Sequence, residues 1–132
     1  GLAPEYVTFN ENGMFPGGGV DYYLLRPETV ESIFYLHRIT GDEKYRQYGY
    51  EIYQAIETHC RVKEKRGIGY APIDKVNAEH PRIFKSGMDY VLVMHSFFLS
   101  ETLKYLYLLF SDENLIPLDK YVFNTEAHLI LL

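Results

Sequence analysis

Tryptophan is absent from this 132-residue chain, and cysteine occurs once, at Cys60. A single thiol excludes an internal disulfide, so cysteine usage does not report the compartment. Cys60 reads instead as a small apolar core residue late in a helix. No run of 18 apolar residues occurs, so no membrane-spanning helix is expected here. Gly1 to Glu5 lacks both a basic region and a hydrophobic run, so no signal peptide is expected at this start. There is no Asn-x-Ser/Thr acceptor site, no HExxH, no paired CxxC, no GxSxG and no EF-hand loop. The glycine run Gly17-Gly18-Gly19 is not a phosphate loop, because no Lys-Ser/Thr follows it. Basic residues are outnumbered 13 to 18, for a formal net charge of -5. That balance argues against nucleic acid as a partner, since phosphate neutralisation needs clustered Lys and Arg. The one basic cluster, Arg61 to Arg66, contains Glu64 and reads as a solvated loop.

What is present is a globular composition, 47% hydrophobic and 16% aromatic. That aromatic content argues against disorder. The aromatics are 13 Tyr and 8 Phe. Tyrosine offers a flat face plus a hydroxyl, which suits core packing and sugar stacking alike. The length fits one domain or a piece of a larger one.

Residues 1–21 read as loop, broken by Pro4, Pro16 and the glycine run. A helix is expected from about Pro27, because proline is tolerated at the first helical position. Val30, Ile33, Phe34 and His37 recur there at helical spacing. Gly41 is the expected stop, and Asp42 the cap of a second helix. Tyr45, Tyr48, Ile52, Ala55, Ile56 and His59 give that helix an apolar stripe, and the pair reads as an antiparallel hairpin. Residues 61–90 read as a long connection with a short strand near Gly69 to Ile73. A third helix is expected from Val91 or Ser96 to Phe110, burying Leu99, Leu103, Leu106, Tyr107 and Phe110. Strand character returns at Tyr121 to Phe123. No second copy of the helix pair occurs at a 34-residue period, which argues against helical repeats.

Several acidic residues stand where a plain surface does not require them. Glu28 and Glu31 are three apart and share a helix face near its N-terminus. Helix-end electrostatics alone would also explain them. Glu101 follows Phe97 by four residues and precedes Lys104 by three, so it is either a site group or half of a surface ion pair. Thr125 and Glu126 lie in a polar break, Asn124 to His128, inside an apolar tail. Such a break meets water, a ligand or an ion, or is simply a turn. His37, His59, His80, His95 and His128 show no metal-ligand spacing. From the residues alone, the chain is a mostly helical, carboxylate-bearing globular segment.

Four segments, in order, resemble glycoside hydrolase family 47, the class I α-mannosidases. They are GLAPE at Gly1 to Glu5, YYLLRPETVES at Tyr22 to Ser32, SFFLSETLKYLYLLFSDE at Ser96 to Glu113, and YVFNTEAH at Tyr121 to His128. A second helix of GDEKY type follows the second segment. The resemblance implies an all-α fold, the C-terminal part of an (α/α)7 barrel with a short β-hairpin plugging one end. Residues 1–132 would then be one incomplete portion of a single glycosidase domain. It implies inverting, calcium-dependent removal of terminal α-1,2-mannose from high-mannose N-glycans on glycoproteins. An inverting glycosidase needs one carboxyl group to protonate the leaving oxygen and another to activate water. By similarity, Glu28 is the general base. Arg26 is a substrate-site residue, Glu5, Glu31, Glu101 and Glu126 are site carboxylates, and Phe97 is an aromatic floor beneath the sugar. Thr125 resembles the direct calcium ligand.

The family's general acid lies on helices upstream of Gly1, so the resemblance implies that this segment is inactive without them. Two departures stand out. Asn77 to His95 matches the family poorly, and His95 stands where relatives carry Glu or Gln. The NTEAH ending resembles that of the processing enzymes of the endoplasmic reticulum and Golgi lumen, and HCRV at His59 to Val62 resembles the Golgi type, with any membrane anchor outside this chain. The alternatives are a degradation-enhancing relative of quality control, or a truncated relative that binds calcium or mannose without catalysis.

Overall fold

The computed structural model describes residues 1–16, 20–64, 67–83 and 94–132. The glycine run at 17–19, the tip of the basic cluster at 65–66 and the alternative helix start at Val91 lie outside those residues. In chain order the elements are β1 (Val7–Asn10), β2 (Gly13–Pro16), α1 (Glu28–Thr40), α2 (Lys44–Ala55), β3 (Arg61–Glu64), β4 (Gly67–Tyr70), α3 (Leu103–Phe110), β5 (Tyr121–Phe123) and β6 (Leu129–Leu131). A π turn, Ile56–Cys60, prolongs α2, and another, Phe98–Thr102, leads into α3. Each pair of consecutive strands forms its own antiparallel two-stranded sheet. The chain divides into two compact units, one of Gly1–Leu25 with Gln54–Met94 and the other of Arg26–Tyr53 with His95–Leu132.

The first unit holds the β1–β2 and β3–β4 hairpins. Residues 1–21 are therefore not all loop as expected. Glu11 and Asn12 turn the chain between β1 and β2, and Gly13 follows at φ 123, a value side chains rarely tolerate. The expected strand near Gly69 begins two residues earlier, at Gly67, and pairs with β3. Tyr23 and Ile73 exchange both backbone hydrogen bonds at 3.1 Å, and Ile73 also bridges to Ile83. Leu25, Ile56, Cys60, Ala71 and Ile73 are buried in this unit. Burial pushes the Cys60 thiol up to about 12, as expected of an inert core cysteine.

In the second unit α1 packs on α3. Val30, Ile33, Phe34 and His37 are buried, as the spacing of α1 predicts. Gly41 ends α1 at φ 66, with its N–H bonded to the His37 carbonyl at 2.8 Å. Asp42 Oδ1 accepts the Lys44 N–H at 3.0 Å and so caps α2. α2 meets α3 at Gly49, the buried residue of α2, where a Cβ would lie 2.3 Å from Leu109 Cδ2. Tyr48, expected in the buried stripe of α2, is 48% exposed. The C-terminal carbonyls of α3, which have no partners within the helix, are taken by two arginines. Arg38 Nη2 donates to Leu108 at 3.2 Å and Arg46 Nε to Leu109 at 2.9 Å.

The face buried by α3 differs from expectation. Tyr105, Leu106, Leu108 and Leu109 are buried, whereas Leu99, Tyr107 and Phe110 are exposed. The sequence LKYLYLLF is apolar on nearly every side, so two stripes satisfy helical spacing, and the one that continues Phe98 and Thr102 through Tyr105, Leu106 and Leu109 is buried. Phe34, Tyr105 and Phe123 form an aromatic triangle with centroids 5.5 to 6.0 Å apart, joining α1, α3 and β5. The strand expected at Tyr121 to Phe123 is β5, and it pairs with β6 in a C-terminal hairpin.

Candidate functional site

Glu28 and Glu31 sit in the first turn of α1, and Pro27 at its N-cap makes no side-chain capping bond. Carboxylate charge rather than a cap therefore faces the positive helix end. The Glu31 N–H bonds the Pro27 carbonyl at 2.8 Å, fixing the turn. Two residues before Pro27, Leu25 is fully buried at φ 66. Bulky residues seldom adopt that conformation, so the approach to Arg26-Pro27-Glu28 is held against a local preference.

Glu101 is carried by the π turn before α3, a helix irregularity often found at functional sites. Its carboxyl is raised above the usual range, first by burial and then by the negative charges of Glu126, Glu28 and Glu31, with Lys104 partly opposing them. Glutamates from α1, the π turn and the C-terminal hairpin therefore share one electrostatic neighbourhood. Arg26 lies with its guanidinium carbon 5.7 Å from the Phe97 ring centroid. His95 stacks on Phe97 at 4.9 Å with the planes 8° apart.

Thr125 and Glu126 form the tip of the loop between β5 and β6. Asn124 organises it. Its Oδ1 accepts the Glu126 N–H at 3.0 Å and the His128 N–H at 2.8 Å, while its backbone carbonyl accepts the Ala127 N–H at 3.0 Å. Ala127 is buried at φ 55, and its carbonyl accepts a 2.6 Å hydrogen bond from Lys104 Nζ. Phe123 and Ala127 are buried on either side while Thr125 and Glu126 stay exposed. The polar break is thus a turn, and it presents oxygen-bearing side chains beside the acidic cluster.

The second unit brings together Glu28, Glu31, Glu101 and Glu126 in charge, and Arg26 with Phe97 in contact. Glu5 belongs to the first unit, where its Oε1 accepts the Leu24 N–H at 2.8 Å. Sequence reasoning offered Lys104 only as an alternative ion-pair partner of Glu101 and overlooked its grip on Ala127. It also overlooked Tyr105, whose hydroxyl donates to Glu31 Oε1 at 3.1 Å. No spacing rule reports such a contact, because 74 residues separate the partners. Asn124 was the readable one, since asparagine oxygens commonly cap their own turns.

For a metal ion, the donor chemistry at this site is oxygen only: the Thr125 hydroxyl and backbone carbonyl, with carboxylates nearby. Hard oxygen donors suit calcium, which completes its shell with water. Among the described residues no three His, Cys, Asp or Glu side chains converge as a metal site. The negative charges that add to burial in raising Glu101 are also what a divalent cation would offset.

The family model of glycosyl hydrolase family 47 matches residues 1–132. The chain is 52% identical over 129 residues to mannosyl-oligosaccharide alpha-1,2-mannosidase IA of Drosophila melanogaster, covering 96% of this chain and 18% of that protein. It is 48% identical over 138 residues to the endoplasmic reticulum mannosyl-oligosaccharide 1,2-alpha-mannosidase of Homo sapiens, covering 97% and 18%. Among solved structures it resembles an alpha-1,2-mannosidase from Trichoderma reesei at a TM-score of 0.73 and 36% identity, covering 93% of this chain and 24% of that one. The chain thus spans about a fifth of the length of the curated relatives it matches.

Proposed function

The chain belongs to glycosyl hydrolase family 47, and from that premise we propose that it is the C-terminal portion of a mannosyl-oligosaccharide 1,2-α-mannosidase domain. The whole domain is an (α/α)7 barrel, and the β5–β6 hairpin is its plug. Its substrate is a high-mannose N-glycan on a glycoprotein, and its setting is the secretory pathway lumen, with any membrane anchor outside this segment. The names of the relatives support the substrate class, and the human relative supports the compartment.

One observation carries the site assignment: Glu101 feels Glu126, Glu28 and Glu31 together, so carboxylates far apart in sequence act at one place. In this reading Glu28 is the general base that takes a proton from the attacking water. Inverting hydrolysis sets that base roughly 6.5–9.5 Å from the general acid, leaving room for the water. The general acid comes from helices upstream of this segment. Glu31, Glu101 and Glu126 bind sugar hydroxyls and ordered water, Phe97 stacks on the sugar, and Arg26 balances charge beside it. Thr125 holds calcium through its hydroxyl and carbonyl oxygens. When bound, calcium orients oxygen ligands and stabilises developing negative charge.

The test is Glu28→Gln in the full-length protein, with an α-1,2-mannose-terminated glycan as substrate and calcium binding followed by calorimetry. Turnover is expected to vanish while calcium still binds. Wild-type enzyme is expected to release mannose first as the β anomer, seen by NMR. Retained turnover in the variant would remove Glu28 as the base, and first release of the α anomer would remove the inverting mechanism.

A further inference from the structure

Glu31 lies among like charges, an arrangement that favours its turning outward to water. The described contact that opposes this comes from α3. Tyr105 donates its phenol hydrogen to Glu31 Oε1 at 3.1 Å. The tyrosine is 1% exposed. Its ring is wedged between Phe34 and Phe123, each with its centroid 5.5 Å away, and Tyr35 stands 6.4 Å off. A ring so enclosed has little rotamer freedom, so its hydroxyl is delivered to a fixed point.

Tyrosine also differs from the obvious alternative, a basic residue. An arginine or lysine here would hold Glu31 equally well but would cancel its charge. A phenol orients the carboxylate and leaves its charge in place. Burial, followed by the adjoining Glu31, pushes the phenol well above its ordinary range. It therefore stays protonated and remains a donor wherever the carboxylate is ionised.

We propose that Tyr105 is a positioning residue of the acidic site, fixing Glu31 so that its free oxygen can order water or a sugar hydroxyl. The proposal rests on the assignment of Glu31 to the mannose and calcium site. It extends that site one layer inward, to the aromatic triangle that joins α1, α3 and β5.

Tyr105→Phe in the full-length protein removes one oxygen and keeps the ring. Calorimetry with calcium, and KM with a high-mannose glycan, are compared with wild type. Both are expected to weaken by about tenfold, the scale of one hydrogen bond to a charged group, with kcat less affected and little change in unfolding temperature. Unchanged calcium affinity and KM would overturn the proposal, as would a fall in unfolding temperature with no change in binding. Glu31→Gln, measured alongside, separates the two ways of failing. If Glu31→Gln weakens binding and Tyr105→Phe does not, Tyr105 alone is wrong. If neither weakens it, the assignment of Glu31 to the site falls as well.

Discussion

Lys104 Nζ donates a 2.6 Å hydrogen bond to the backbone carbonyl of Ala127. This ties α3 to the loop whose tip carries Thr125 and Glu126. Ala127 is a non-glycine residue at φ 55, a conformation the chain does not favour unaided. A cation on its carbonyl is one of the restraints that hold it there.

Replacing Lys104 should therefore act on the loop and on the charge together, with opposite signs. Removing a positive charge near the proposed cation site favours the cation, but the effect is screened at a partly exposed position and is worth about 1 kcal/mol or less. Losing a hydrogen bond from a charged donor costs about 1.5–3 kcal/mol. The loop effect should win, so Lys104→Met should weaken calcium binding in the full-length protein. Calorimetry checks this, and tighter binding would show that charge, not the grip on Ala127, is what Lys104 contributes. Thr125→Ala should weaken binding further, since it removes a proposed ligand oxygen.

Gly49→Ala should destabilise, although alanine is the better helix former. Helix propensity favours the change by about 1 kcal/mol. Against it, the new methyl would sit 2.3 Å from Leu109 Cδ2, and Leu109 is 0% exposed, with little space to yield. Overpacking of this kind costs about 1–3 kcal/mol. A lowered unfolding temperature is expected, and a raised one would mean that the Leu109 side chain turns aside at little cost.

The residues that met these expectations are those whose neighbours in sequence decide their structure. Gly41 and Asp42 act as punctuation through their own backbone and side chain, and both stand where α1 ends and α2 begins. Val30, Ile33, Phe34 and His37 are buried because α1 is a regular helix. Leu99, Tyr107 and Phe110 are exposed because the third helix is apolar nearly all round, so spacing alone does not choose between its faces. The β1–β2 hairpin carried a usable signal in Asn12-Gly13, a common pair at hairpin turns, hidden by the prolines and glycines around it. Site residues were legible as motifs but not as a constellation. Glu28 and Glu101 are 73 residues apart in sequence, and it is folding that places both in one field.

The arginine pair at the end of α3 should contribute to stability through the carbonyls it covers. Arg46 reaches Leu109 through Nε at 2.9 Å and Ser111 through Nη2 at 3.4 Å. A lysine supplies one compact ammonium and cannot span both carbonyls. Arg46→Lys should therefore lower stability by about 1 kcal/mol, the net worth of an ordinary hydrogen bond. Equal denaturation midpoints for Arg46→Lys and wild type would mean that water serves these carbonyls as well.

Cys60 gives the protein a specific alkaline weakness. Its thiol is fully buried, and loss of solvation raises it from an ordinary value of 9.0 to about 12. The folded state thus holds this proton more tightly than the unfolded state does. Its contribution to stability is complete below pH 9.0, where both states keep the proton, and is lost as pH rises towards about 12. Many tyrosines also ionise in this window, so the informative quantity is the difference between wild type and Cys60→Ala. The alanine variant leaves a cavity whose cost does not depend on pH. The stability advantage of wild type should therefore shrink steadily above pH 9.0. Iodoacetamide at pH 8 should label Cys60 slowly in the native protein and rapidly in urea, as followed by peptide mass mapping, because the thiolate is the reactive form. Rapid native labelling would show that the thiol reaches solvent and that its burial is not maintained in solution.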